Sequence, residues 1–163
     1  MNSRFRWILL AATGLALAGL VAAWVLWRGL AASPTALLRT DDAQVLEQGR
    51  KVYVAQCASC HGVNREGQAN WRERGADGRL PAPPHDETGH TWHHPDELLF
   101  RITKEGVAQA AGLQDYESNM PTYGAMLSDA DIVAVLSWIK SQWPAETQAH
   151  HDGINRQARE SQR

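Results

Sequence analysis

Residues 57–62 read Cys-Ala-Ser-Cys-His-Gly, and they hold both cysteines of the 163-residue chain. A C-x-x-C pair serves as a redox dithiol, as half of a zinc site, or as part of a haem attachment site. The dithiol expects a βαβ setting, and no strand–helix alternation surrounds these residues. A zinc site needs four ligands, so two more would have to come from histidines. C-x-x-C-H accounts for all three residues at once. The thiols of Cys57 and Cys60 form thioethers with the two vinyl groups of one covalently bound haem, and His61 becomes an axial iron ligand. A single such motif implies a single haem c.

The segments on either side differ in charge. Residues 1–40 carry four arginines and no acid, whereas residues 41–144 carry 9 basic and 15 acidic side chains. An acidic middle segment argues against a nucleic-acid partner, which needs a basic face. Residues 7–27, WILLAATGLALAGLVAAWVLW, contain no charge. At ~1.5 Å per residue such a run spans about 31 Å, enough for a transmembrane helix. Trp7, Trp24 and Trp27 suit its two interfaces, and Arg4 and Arg6 favour a cytoplasmic N-terminus. A cleaved signal peptide is the alternative, but the apolar run exceeds a typical ~7–15-residue h-region. The expectation is a single-pass anchor over residues 1–28 in a bacterial cytoplasmic membrane. A linker at 29–40 would then lead to a domain at 41–144 facing the periplasm.

Helix signals bracket that domain. The first helix is expected from Thr40 as N-cap, with Asp41 and Asp42 in its first turn, to about Cys57. Pro95, Asp96 and Glu97 open a second helix that Gly106 closes. Ser128 with Asp131 resembles a capping box for a third, stopped by Pro144. Between the first two lie 33 residues, 62–94, almost without periodicity. A loop that long argues against a compact domain unless a large apolar group supplies the centre. Residues 145–163 have few apolar groups and read as a polar, disordered tail. The expected fold is mostly α, a transmembrane helix followed by three or more helices and long loops around one haem.

With CASCH after an N-terminal helix, SNMPTYG before a C-terminal one, and WIKSQWP ending the domain, residues 41–144 resemble a class I cytochrome c of the membrane-anchored, mono-haem bacterial type. The resemblance implies an electron carrier rather than an enzyme, with redox partner proteins such as membrane respiratory complexes. It implies Met120 as the distal iron ligand and places Met126 near the C-terminal helix. It implies that a proline-region carbonyl, of Pro81 or Pro83, accepts from the Nδ1–H of His61. It also implies a contact of the first and last helices, with Gly49 allowing close approach and Tyr53 and Trp138 filling the crossing.

The histidines of PAPPHDETGHTWHHPD, namely His85, His90, His93 and His94, are the least expected feature. The stretch is similar to a TGHTWHHPDE segment of membrane-anchored bacterial relatives. Packing at the haem edge, a second metal site and a bis-histidine haem are all open readings. Trp92 is a candidate donor to a haem propionate. If Met120 were displaced, an open sixth position would make the chain a haem sensor or peroxidase. A metal-handling role for the histidines is the third reading.

Overall fold

A computed structural model describes residues 37–163 of the chain. Helix α1 spans Ala43–Val52. Its N-cap is Asp42 rather than Thr40: the Asp42 carboxylate accepts from Gln44 N at 3.1 Å and Val45 N at 3.2 Å. A carboxylate satisfies two orphan N–H groups and meets the positive helix end with a full charge, which a hydroxyl cannot do. The helix does not stop at Cys57. A π-helical turn, Tyr53–Cys57, carries it into α2, Ala58–His61. The helical backbone therefore delivers His61 as well as both thiols.

Residues 62–90 form the expected long loop without regular structure. A 3₁₀ turn at Thr91–His93 precedes α3, Asp96–Glu105. Gly106 ends α3 at φ +92°, a conformation closed to most L side chains, and a short helix α4 follows at Val107–Ala111. Helix α5, Asp129–Ser141, starts on the expected capping box of Ser128 and Asp131.

Helices α1 and α5 cross closely at Gly49. A Cβ there would lie 2.0 Å from the Ala134 carbonyl oxygen, so only glycine permits this approach. Beside the crossing, the Tyr53 and Trp138 rings pack with centroids 4.8 Å apart. Val52, Tyr53, Leu99, Ile132, Val135, Leu136, Ile139 and Trp143 form the apolar core.

Two expectations are corrected. Residues 145–163 are not a disordered tail: Ala145–Ser161 is helix α6. Its buried side chains are polar, which is why hydropathy concealed it. His151 and Asn155 are buried and pair with groups at the start of α3. Pro95, the N-cap of α3, offers no side-chain cap. Instead the Asn155 amide oxygen accepts from Asp96 N at 2.8 Å, while its Nδ2 donates to Asp96 Oδ1 at 2.9 Å. His151 Nε2 donates to the His94 carbonyl at 3.0 Å.

The second correction concerns the transmembrane helix and the single-pass membrane location. Among the described residues no helix is long and apolar enough to cross a membrane. The longest, α6, has 17 residues and a polar sequence, and α5 has 13. A hydrocarbon core needs about 20 apolar residues. The span expected at 7–27 lies outside the described residues. What stands is a mostly helical domain with long loops.

Candidate haem site

A cavity of about 780 Å³ lies between the α2 end, the long loop, α3 and α5. Cys57, Cys60, His61, Pro81, Pro83 and Met120 all line it. Its deeper wall is apolar, with Leu98, Leu99 and Ile102 of α3 and Val135, Leu136 and Ile139 of α5. The two cysteines are not joined in a disulfide.

His61 is buried, and its Nδ1 lies 2.8 Å from the Pro83 carbonyl oxygen. A carbonyl only accepts, so Nδ1 carries the hydrogen and the Nε2 lone pair is free to bind a metal. Burial holds the His61 pKa below its ordinary value, with the Pro83 bond opposing. Neutral imidazole is the form an iron ligand requires. Pro81 also lines the cavity, but the bond is to Pro83.

Met120 is half-buried in the loop before α5, where its N–H donates to Ser118 Oγ at 3.1 Å. Two side chains that residue patterns did not reveal fix this loop. Arg79 donates to Glu117 at 2.9 Å and to Asn119 at 2.9 Å, and Tyr123 OH donates to the Gln56 carbonyl at 2.8 Å. Tyr123 thus joins the methionine loop directly to the helix bearing the thiols. Met126, expected near the C-terminal helix, is 56% exposed and absent from the cavity wall.

The four loop histidines divide. His85 stacks on His61, with ring centroids 3.9 Å apart and planes 21° apart, and its Nδ1 meets Thr91 Oγ1 at 2.8 Å. His90 and His94 line the cavity and His93 does not. His93 stacks on Trp92 at 3.6 Å. Trp92, expected as a donor to a haem propionate, is absent from the cavity wall, and its Nε1 donates to the Glu87 carbonyl at 3.2 Å. A carbonyl five residues back along the loop thus satisfies the indole N–H. Among the described residues no group of three His, Cys, Asp or Glu could hold a separate metal ion.

A flat, largely apolar group fits this site. The wall offers carbon to its faces, the two cysteines of a C-x-x-C-H motif, one oriented imidazole and one thioether. Fold and site thus define a small helical domain built around covalently bound haem. Residues 46–143 match the family model of cytochrome c, and the chain belongs to that family. No curated protein and no solved structure gives a significant match. Cytochrome c domains bind c-type haem covalently, and Cys57 and Cys60 with His61 fit the C-x-x-C-H attachment motif. The family's members generally carry electrons to and from redox partner proteins.

Proposed function

We propose that the protein transfers single electrons between protein partners of a respiratory chain, with Cys57 and Cys60 as thioether anchors and His61 and Met120 as axial ligands. The observation that carries this reading is the convergence of those four side chains on one cavity. The haem supplies the one-electron couple; the chain's residues set its conditions. Pro83 orients the His61 ring through Nδ1 and leaves Nε2 to the iron. The apolar α3 and α5 side chains on the wall would shield a bound haem from water. The thioether of Met120 is the softer donor and favours the ferrous state, which raises the potential relative to a bis-histidine site.

Met120→Ala is the decisive change. Its haem should stay covalently bound, because both anchors remain. The ferric protein should lose the weak far-red absorption of sulfur ligation, bind carbon monoxide readily once reduced, and show a lower potential. Should Met120→Ala instead remain low-spin and resist added ligands, a histidine is the distal ligand. Should the unaltered protein already bind carbon monoxide readily, it is a sensor or peroxidase with an open sixth position.

A further inference from the structure

One part of the cavity wall is unlike the rest. Arg72, His90 and His94 meet there, at the rim, with Trp71 among them. The Trp71 and His90 rings stack with centroids 5.4 Å apart and planes 7° apart. His94 meets His90 edge-on at 5.3 Å. The Arg72 guanidinium lies 4.0 Å over the Trp71 ring. Arg72 forms no ion pair among the described residues, although guanidinium usually finds a carboxylate. No Asp or Glu of the described residues lines the cavity, and Arg72 is its one permanently charged side chain. Three other polar side chains of the wall are engaged: Asn119 with Arg79 and Asp77, Ser118 with Met120 N, and Tyr123 with Gln56.

We propose that Arg72, His90 and His94 hold the two haem carboxylates, and that the histidine pair takes up a proton when the iron is reduced. The first half follows from complementarity. A donor cluster without an acid of its own faces a cavity whose occupant brings two acids, and charge-assisted hydrogen bonds satisfy both sides. The second half follows from position. Arg72 and His90 are exposed and His94 is half-buried, so protons exchange with solvent while the other face of the cluster meets the haem.

An added electron lowers the positive charge at the iron and raises the proton affinity of a nearby imidazole. Reduction is then one electron from the partner onto the iron and one proton from water onto a ring nitrogen. The groups around the pair are Arg72 from the long loop, His93 between them in sequence, and, below the His94 carbonyl, His151 with Asp96. Burial, the neighbouring histidines and, for His90, Arg72 hold both pKa values below the ordinary one in the chain alone. Two carboxylates would oppose those effects and raise the proton affinity of the pair.

The test is the midpoint potential of the purified holoprotein as a function of pH. It should fall as pH rises between about 5 and 8. His90→Gln/His94→Gln should keep haem through Cys57 and Cys60 and flatten the curve. Arg72→Gln should lower the potential at every pH and keep the slope. If the double variant takes up no haem, each single histidine variant should lose part of the slope. A flat curve in the unaltered protein overturns the proposal, as does a full slope in the histidine variants. An unchanged potential in Arg72→Gln removes the arginine from the site. The proposal rests on haem occupying this cavity and not on Met120: loss of the sulfur absorption overturns only the ligand assignment, and the pH slope is read independently of it.

Discussion

Tyr123 shows how much a single side chain decides here. It is 6% exposed, and its hydroxyl reaches across to the Gln56 carbonyl, one residue before the first thiol. Tyr123→Phe keeps the ring and leaves that carbonyl without its donor. The expected cost is about 0.5–1.5 kcal/mol in denaturant unfolding of the holoprotein, with haem retained. Met126, three residues on, offers the contrast. Exposed as it is, Met126→Ala should change stability by no more than about 0.5 kcal/mol and leave the absorption spectrum unaltered. A cost of several kcal/mol would mean that Met126 is buried in solution. The two methionines are six residues apart, but only Met120 lies on the cavity wall.

The elements are held by two contacts of opposite character. The α1–α5 crossing is steric. Ala at position 49 would gain about 1 kcal/mol of helix propensity, yet its Cβ would sit 2.0 Å from a backbone oxygen that cannot rotate away. Overpacking wins, and Gly49→Ala should destabilise by about 1–3 kcal/mol net. Equal or greater stability by denaturant unfolding would show that the helices part freely. The α3–α6 contact is polar and buried. Asn155 caps α3 from another helix, so Asn155→Ala leaves Asp96 N and its carboxylate short of partners inside the protein. About 1–3 kcal/mol should be lost. Protection of the α3 amides against hydrogen exchange should fall with it, because the first turn loses its cap.

Across the whole molecule, pH should act through buried neutral histidine. His151 is fully buried, and burial first and Lys140 second hold its pKa below the ordinary value of about 6.5, with Asp96 and the His94 carbonyl opposing. The folded state therefore binds this proton less readily than the unfolded state. The stability His151 contributes is present above about pH 6.5 and is lost as pH falls from there through the folded value. The holoprotein should melt at a lower temperature at about pH 5 than at about pH 8. His151→Gln should melt lower at both but with a smaller difference between them. His85, also held neutral by burial, adds a dependence of the same sign that survives in the variant. A melting temperature that rises on acidification would contradict this account.

C-x-x-C-H determined the cofactor before any fold was known, because covalent haem attachment needs those residue types at that spacing within one turn of chain. The capping box that starts α5 was legible for the same reason, since Ser128 with Asp131 is a contact over three residues, whereas α1 starts on Asp42 and not on Thr40. The site as a whole was less legible. Which proline carbonyl serves His61, where Trp92 sends its N–H, and which histidines reach the cavity all depend on how a loop without periodicity folds back. His61 and Pro83 are 22 residues apart, and no local pattern selects Pro83 over Pro81. The terminal helix was hidden by its composition. His151 and Asn155 read as solvated polar residues until their partners, His94 and Asp96, are brought to them from nearly 60 residues away. Local chemistry is written in short stretches of chain; burial is a property of what the rest of the chain places around them, and only the tertiary structure supplies it.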